Sequence, residues 1–451
     1  MTSSIKITAD LERVAERVLK LAKTAGLDGA EIDAAANTDA LTRFANNTIH
    51  QNVAEQTLSI SVRAIMDSRT ARATTNKTDD ESLARVVAAA ASLAKNQPRN
   101  LDLLPLLGKP KYQKVSRSFS STAETTPQDR AHAVAKVCKH AAKHKQTAAG
   151  IFVSGSSHSI LANSKGLFTH YEQTRAEFSI TILESDSSGW AKANSPDIHK
   201  IDPQALAEGA SEKSAQSRKP RELAPGHYVT ILEPSAVLDL MGSLFFDFSG
   251  TAIEDKRSCL TGRMGQKLFG ENITVWDDAY HPLQTGYPYD GEGQPREKVL
   301  LIDRGIAKNV VYARATAKRA KRKPTGHGFS LPNDFGEAPM NIVFTGGDKS
   351  VDEMILTTER GVLVTRLWYI REVDPYKKIL TGMTRDGTFL VENGKIAGGV
   401  RNFRFNQSVI EMLANVEMLG PAERSAGEEA FEMVVPAMKI RDFHFSEVTK
   451  F

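Results

Sequence analysis

The spacing of apolar residues changes along this chain, and that change constrains the fold more than any other feature of the sequence. Residues 11–22 and 83–94 carry apolar side chains at helical spacing, whereas residues 57–64 alternate strictly between apolar and polar. Helical spacing gathers apolar side chains on one face of a helix, and alternation gathers them on one face of a strand. In the alternating segment, the face that carries Ile60 is predicted to be buried and the face that carries Arg63 is not.

From residue 150 onwards the pattern changes to strands separated by turn sequences. Residues 175–182 alternate between polar and apolar side chains, as expected of a strand with one buried face. The late strands are separated by Asp386-Gly387 and by Glu392-Asn393-Gly394, which are typical of hairpin turns. Together with the helices of the first part, these strands predict an α+β fold.

The length of the chain predicts two domains. A chain of 451 residues is too long for one hydrophobic core. The most linker-like composition is the polar run at residues 211–221, and we place the boundary there. The prediction is an N-terminal domain of mixed helices and strands at residues 1–220 and a β-rich C-terminal domain at residues 221–451.

Composition and charge exclude several classes of protein. With 58 Lys and Arg against 54 Asp and Glu, the formal charge of +4 is too small for a protein that coats nucleic acid. Cys138 and Cys259 are far apart in sequence and form no zinc-binding spacing, which fits a reducing compartment. No run reaches the about 18 apolar residues of a membrane span, and the first ten residues lack a secretory signal. We therefore expect a soluble, cytoplasmic protein that does not contact membranes.

Two motifs resemble functional sites and fail in detail. His140 and His144 are spaced to share one helix face, but Ala141 follows His140 where a general base would stand, and the neighbouring lysines oppose a divalent cation. Residues 345–350 lie between a strand and a helix, as a phosphate-binding loop does, but Asp348 would place an anion beside the phosphate. We predict a solvated basic face for the first and a helix-capping box from Ser350 for the second.

Two charged clusters have a structural and a functional interpretation. The basic cluster at residues 314–323 contains six Lys and Arg residues without interleaved aromatic residues, which favours an exposed basic segment over a nucleic-acid site. Asp277 and Asp278, followed by His281, sit at the end of an apolar strand. Because neighbouring side chains in a strand point to opposite faces, a role in ordering a turn is favoured over a shared site.

A series of short phrases runs through the second half of the chain. They are Leu260-Thr-Gly-Arg-Met-Gly-Gln266, Val275-Trp-Asp-Asp278, Asp290-Gly-Glu-Gly-Gln-Pro295, Leu301-Ile-Asp-Arg-Gly305, Pro324-Thr-Gly326 and Asp386-Gly-Thr-Phe-Leu-Val-Glu-Asn-Gly394. In this order they resemble the TldD/PmbA family, long labelled modulators of DNA gyrase and understood as intracellular metallopeptidases. The resemblance implies a C-terminal domain with a large curved antiparallel β-sheet, whereas function has to be argued from the site.

The chain departs from the family at the zinc site. Catalytic members carry a HExxxH helix, whose two histidines bind zinc and whose glutamate activates water, and a cysteine near the carboxyl end supplies a third ligand. Met241, Gly242 and Phe246 occupy the HExxxH positions of this chain, and residues 419–432 contain no cysteine. A catalytic zinc needs three protein ligands and an open position for water. The sequence therefore predicts no resident metal, no cofactor and no catalytic residue.

The pattern is similar to the TldE/PmbA branch of the family. The resemblance implies a non-catalytic subunit that pairs with a TldD-type HExxxH subunit in a hetero- or homo-oligomer and handles peptides or unfolded chains. Arg263 and His327 lie in family-matched, glycine-flanked loops and are predicted to contact the peptide or the partner. Two alternatives remain open: an active hydrolase with ligands such as His281 and His327, and a nucleic-acid-associated regulator that uses residues 314–323.

Overall fold

The computed structural model describes residues 2–284 and 286–449. Its first six strands are β1 (Gly29–Ala45), β2 (Thr48–Met66), β3 (Arg69–Thr75), β4 (Thr147–Asn163), β5 (Phe168–Leu183) and β6 (Ser188–Ser195). They form one sheet in the order β3-β2-β1-β4-β5-β6, and every neighbouring pair is antiparallel. The predicted strands at residues 57–64 and 175–182 lie inside β2 and β5.

Helices cover one face of this first sheet. They are α1 (Thr2–Thr24), α2 (Asp80–Lys95), α3 (Ser120–Ala123), α4 (Pro127–Lys143) and α5 (Pro203–Gln216), with a 3-10 helix at Ile198–Lys200. The apolar faces of α1 and α2 form one core with β1 to β3, and those of α4 and α5 form a second core with β5. The first helix ends just before Gly26, which adopts a φ of 70° that suits glycine at a helix end.

The opposite face of the first sheet differs from its prediction. Ile60 is buried beneath the helices as expected, but Arg63 is also buried, with 2% of its surface exposed. Loops from the second half of the chain cover that face, since Arg72 donates a hydrogen bond to the backbone carbonyl of Leu331. The prediction that Arg63 faces solvent is wrong because the covering residues are distant in sequence.

The second half of the chain contains the other strands and helices. The strands are β7 (Gly226–Leu232), β8 (Val275–Asp277), β9 (Val299–Asp303), β10 (Ile306–Ala307), β11 (Ile342–Phe344), β12 (Arg360–Asp374), β13 (Ile379–Glu392), β14 (Lys395–Gly399), β15 (Phe403–Ser408), β16 (Val416–Leu419), β17 (Glu423–Ser425), β18 (Met433–Val435) and β19 (Met438–Val448). The helices are α6 (Pro234–Met241), α7 (Gly250–Glu254), α8 (Arg314–Arg319), α9 (Val351–Leu356) and α10 (Val409–Ala414), with a 3-10 helix at Phe245–Asp247.

Two sheets are built from these strands. One has the order β10-β9-β8-β11-β18-β17, and the other has the order β12-β7-β19-β15-β13-β14 with β16 paired to β19. Because β12 also pairs with β13, five strands of the latter sheet form a hydrogen-bonded ring, in which only the pair of β12 and β7 is parallel. The prediction of an α+β fold with a large curved sheet is confirmed, and one core connects the ring to the smaller sheet.

The strands divide between the two halves of the chain without exchange. The first sheet uses residues 29–195, and the other two use residues 226–448. Whether residues 1–220 and 221–451 fold as separate domains stays a prediction. Within the described residues, no helix combines the length and the apolar character needed to cross a membrane.

Candidate functional site

The segment that we predict to occupy the HExxxH positions is part of the C-terminal core. Helix α6 begins with Pro234, which lacks the N–H that a first helical residue leaves unpaired, and its residues 236–241 are all buried. A helix that is apolar on all sides is a core element. The side chain of Met241 is accordingly fully buried among other core residues.

A carboxyl-terminal loop, residues 426–431, lies directly over this segment. A Cβ atom on Gly242 would stand 2.6 Å from the Cβ of Ala430. The ring of Phe246, which is 50% exposed, meets the ring of Phe431 edge to face, with centroids 6.3 Å apart. The helix and the carboxyl-terminal segment therefore meet, as a shared zinc site would require, but at Gly242 and Phe246 they meet through apolar groups. We call Met241, Gly242, Phe246 and residues 426–431 the filled site.

Asp239 fastens the loop of the filled site to α6. Its Oδ1 accepts hydrogen bonds from the backbone N–H groups of Glu428 and Glu429, at 3.1 and 3.0 Å. Burial, together with the neighbouring carboxylates of Glu429 and Glu428, raises the pKa of Asp239 to about 7. Sequence reasoning missed Asp239, because no motif singles out one carboxylate on an apolar helix.

The tip of the hairpin formed by β12 and β13 contacts Asp247, the residue that follows Phe246 of the filled site. Lys378 is buried between the carboxylates of Asp247 and Glu372. Burial alone would lower the pKa of Lys378, but these two carboxylates raise it above its usual value. The backbone N–H of Tyr369 donates to Glu429 of the loop at 2.7 Å. The hairpin, the loop and α6 therefore form one connected surface.

His327, predicted as a contact residue, is instead buried. Its Nε2 lies 2.9 Å from Oδ1 of Asp277, and both side chains are 0% exposed. Burial would raise the pKa of Asp277, but His327 and Arg296 hold it below its usual value. The prediction that His327 lies on an accessible loop is wrong. Its ring packs in the interior against the carboxylate of Asp277, which lies 50 residues earlier in the chain.

Arg263, the other predicted contact residue, lies in a turn at the surface. The flanking Gly262 and Gly265 have φ values of 73° and 81°, which favour glycine. The Nη1 atom of Arg263 donates to the carbonyl of Cys259 at 3.3 Å, and the side chain is half-buried. Arg263 is not brought together with His327, which lies in the interior.

Apart from the pair of His327 and Asp277, the residues of the alternative hydrolase site make separate contacts. Asp278 accepts a hydrogen bond from the backbone of Tyr280, which orders the turn as predicted, and pairs with Lys298 at 2.9 Å. His281 accepts from the backbone of Leu283. Within residues 2–284 and 286–449, no three His, Cys, Asp or Glu side chains are placed to hold a metal ion.

The remaining motifs have structural explanations. His140 and His144 approach each other, with ring centroids 4.7 Å apart, at the carboxyl end of α4. Ser350 caps α9 in a capping box with Glu353, so the capping prediction is confirmed. In the basic cluster, Arg319 pairs with Glu254 and Arg314 pairs with Glu292, which leaves fewer free cations for phosphates.

A polar cleft between the first sheet and the C-terminal loops was not predicted at all. It is a cavity of about 270 Å3 lined by Asp33, Ala35, Ser159, Ile160, Leu161, Tyr287, Tyr289, Asp290, Gly291 and Arg296. We call this cavity the polar cleft. Burial raises the pKa of Asp33 and of Asp290 above their usual values. The cleft combines residues more than 100 positions apart, so no local spacing could have pointed to it.

Models of a known family match most of the chain. Residues 225–447 match the C-terminal domain of the PmbA/TldA metallopeptidases, residues 30–94 match domain 1 and residues 121–218 match the central domain. Strands β1, β2 and β3 fall in the segment that matches domain 1, whereas β4 to β6 fall in the segment that matches the central domain. The single first sheet is thus built from two family segments.

Individual relatives and solved structures agree with these models. The chain is 26% identical over 288 residues to a metalloprotease of Methanothermobacter thermautotrophicus, which covers 60% of this chain and 61% of that protein. It therefore spans less than two thirds of that relative. It is 25% identical over 409 residues to a metalloprotease TldD homolog of Buchnera aphidicola, covering 83% of this chain and 81% of the relative.

The solved structures show the fold. TldE from Thermococcus kodakarensis superimposes with a TM-score of 0.88 at 22% identity, over 96% of this chain and 100% of that one. A Thermotoga maritima structure described as a modulator of a DNA gyrase superimposes with a TM-score of 0.84 at 19% identity, over 97% and 100%. At such identities the likeness extends to the architecture and not to the site.

Proposed function

The chain belongs to the PmbA/TldD family of metallopeptidase-related proteins, and we propose that it is a non-catalytic subunit that works with an HExxxH-bearing relative. The filled site carries this proposal. A catalytic zinc needs three protein ligands and a water, and a glutamate must reach that water. At the matched positions this chain offers a thioether in the core, a glycine and a phenyl ring.

The contact between Gly242 and Ala430 adds a steric argument. Any side chain at position 242 would meet the loop, since even a Cβ atom would lie 2.6 Å from the Cβ of Ala430. A glutamate at this position, which is the general base in catalytic members, could not enter without displacing residues 426–431. We infer that the chain holds no resident metal and no cofactor at this place.

The surface beside the filled site supports a role for a partner. Tyr369, Val373 and Tyr376 on the hairpin of β12 and β13 are each more than half exposed, and Phe246 is nearby across the loop. Clustered exposed aromatic and aliphatic side chains mark protein interaction sites. We propose that this surface receives the HExxxH subunit, so that the pair acts on peptides or unfolded chains in the cytoplasm.

Arg263 stays a proposed contact of the peptide or the partner, because its turn is at the surface. His327 is withdrawn from that role because its side chain is buried against Asp277. Neither alternative function gains support. Within the described residues the hydrolase candidates form no group of three metal-binding side chains, and two arginines of the basic cluster are paired with carboxylates.

Reconstitution tests the proposal. The purified chain, the HExxxH subunit and their mixture are assayed on an unfolded polypeptide, with an HExxxH subunit whose glutamate is changed to glutamine as the inactive control. We expect cleavage by the mixture, and none by this chain alone or by the mixture with the inactive subunit. Chelator-sensitive cleavage by this chain alone, retained through repurification, would overturn the proposal.

Surface variants test the docking step. Replacing Tyr369, Val373 and Tyr376 by serine is expected to weaken co-elution with the HExxxH subunit and to reduce cleavage by the mixture. Leu356→Ser is the matched control, because Leu356 is 72% exposed at the opposite end of β12. Equal co-elution of both variants would exclude the hairpin as the docking surface.

A further inference from the structure

One edge of the first sheet has no neighbouring strand over part of its length. Strand β2 pairs with β1 from Thr48 to Met66, but β3 pairs only with its last part, Ile60 to Met66. Among the described residues, no strand or isolated bridge pairs with the outer side of residues 51–57, and all seven of these residues are exposed. We call residues 51–57 the free edge. Such an edge presents a row of unpaired backbone N–H and C=O groups to the solvent.

The same sheet is covered at two other places where its edge would otherwise be open. The opposite edge strand, β6, lies against the C-terminal half, where Lys192 donates a hydrogen bond to the carbonyl of Gly427 at 2.8 Å. The part of β5 that extends beyond β6 is covered by Arg117, whose carbonyl accepts from the backbone N–H of Thr174 at 2.8 Å. Lysine, proline and bulges usually protect edges that stay open. The free edge contains neither lysine nor proline, and the register shift between β1 and β2 lies outside it.

The sequence of the free edge fits antiparallel pairing with itself about Val53. A two-fold axis through Val53 brings this residue opposite Val53 of a second copy, and it brings Gln51 opposite Glu55 on both sides of the axis. The amide of Gln51 can then donate a hydrogen bond to the carboxylate of Glu55. An axis through Glu55 would instead place two carboxylates directly opposite each other, which is unfavourable. The side chains therefore favour the axis at Val53.

The axis at Val53 also extends an apolar row that already crosses the sheet. Val53 lies opposite Leu41 of β1, and Leu41 lies opposite Val153 of β4. Val53 is 38% exposed, and the other two side chains are half-buried. Pairing about the axis would place two such rows end to end, so that six aliphatic side chains follow one another across both sheets. Cross-strand contacts of this kind stabilise β-sheets.

We propose that the free edge pairs with the free edge of a second copy of this chain, so that the first sheet continues through a two-fold axis at Val53. An extended peptide can also add to an open edge, but it would leave the edge exposed between encounters. A second copy closes both edges at once and leaves neither for further growth. The free edge and the hairpin of β12 and β13 are different surfaces. The inference therefore goes beyond the proposed subunit function and needs no HExxxH subunit.

Sedimentation equilibrium of the full chain, without the HExxxH subunit, tests this pairing. A pair of seven-residue strands is smaller than the about 800 Å2 per partner of a standard interface, so we expect a dimer that dissociates on dilution to roughly micromolar concentration. Val53→Lys places two lysines opposite each other at the axis and should raise the dissociation constant at least about tenfold. Leu93→Lys is the matched control, because Leu93 is 46% exposed on helix α2, and it should dimerise as the wild type does.

A charge swap at the axis separates loss of pairing from loss of folding. Val53→Glu alone should also be monomeric, because two carboxylates then face each other. A mixture of Val53→Lys and Val53→Glu should dimerise again, since opposite charges meet at the axis. A mixture that stays monomeric, or a dimer that neither variant weakens, overturns the proposal.

A wild-type chain that stays monomeric up to about 200 µM also overturns the proposal. If that monomer binds an unfolded polypeptide and Val53→Lys weakens the binding, the free edge receives peptides and not a second copy. Every measurement on the dimer is made without the HExxxH subunit. Failure of the self-pairing is therefore distinct from failure of the reconstitution experiment.

Discussion

The filled site and the polar cleft are opposites within one molecule. In the filled site, apolar groups occupy the positions that we predict to correspond to the HExxxH motif, and the buried Lys378 beside it is paired with Asp247. In the polar cleft, the charged side chains of Asp33, Asp290 and the half-buried Arg296 line an open cavity. The difference teaches that apolar side chains fill the space at one place, whereas charged side chains line an open cavity at the other. The predictions below test the packing and the charges of the filled site and its surroundings.

The largest effect is expected at the paired charge beside the filled site. Lys378→Met leaves the carboxylate of Asp247 buried without its cation, which should lower the free energy of unfolding by about 3–5 kcal/mol. Urea denaturation at neutral pH measures this loss. Adding Asp247→Asn to the same chain should restore most of it, because the uncompensated charge is then gone. A loss below about 1 kcal/mol would mean that the surroundings of the filled site are hydrated and the contrast fails.

The second effect concerns pH. The pKa of Asp239 is raised to about 7 in the folded protein, so the folded state holds a proton that the unfolded state has released. Its contribution to stability is complete at acidic pH and is lost as the pH rises from about 4 to about 7. Asp239→Asn keeps an oxygen for the loop and removes this dependence.

The measurement compares the free energies of unfolding of Asp239→Asn and the wild type at pH 5 and pH 8. Between pH 5 and pH 8 the variant should become more stable relative to the wild type by about 2.7 kcal/mol. Glu292, near the polar cleft, also has a pKa raised to about 7, by burial and by Asp290. Because Glu292 is present in both proteins, its titration cancels when their free energies of unfolding are compared. A difference that does not change with pH would show that Asp239 is ionised in both states.

The smallest effect tests the packing of the filled site. Gly242→Ala places a methyl group against Ala430 and should cost about 1–3 kcal/mol of stability, because the loop has to move. Gly209→Ala is the matched control, since nothing lies within 4 Å of its added Cβ atom and it lies in helix α5. The control should gain about 0.5–1 kcal/mol. If both variants behave alike, the loop does not close the filled site.

Local sequence patterns predicted the positions of helices and strands well, but they predicted less well which faces are buried. The alternation at residues 57–64 identified β2, and the capping residues from Ser350 identified the start of α9. These signals are local, since the partner atoms lie within a few residues. The burial of Arg63 could not be predicted, because the charges that surround it include Glu292 and Arg314 from the other half of the chain.

The same limit applies to the sites. The assignment of Met241, Gly242 and Phe246 to the HExxxH positions follows from the family resemblance to a contiguous motif and stays a prediction. His327 was misplaced, since flanking glycines indicate an accessible loop but do not reveal a buried partner. Arg296 and Asp33 were missed because the cleft forms only when the first sheet meets the C-terminal loops.

The zinc content of the purified chain tests the central claim most directly. The protein is dialysed against a zinc-containing buffer, freed of unbound metal and measured by elemental analysis, together with a His140→Ala/His144→Ala variant. The account predicts far less than one zinc per chain in both proteins, because Met241, Gly242 and Phe246 supply no zinc ligand and the two histidines alone form an incomplete set. About one zinc per chain, retained in the double variant, would contradict it.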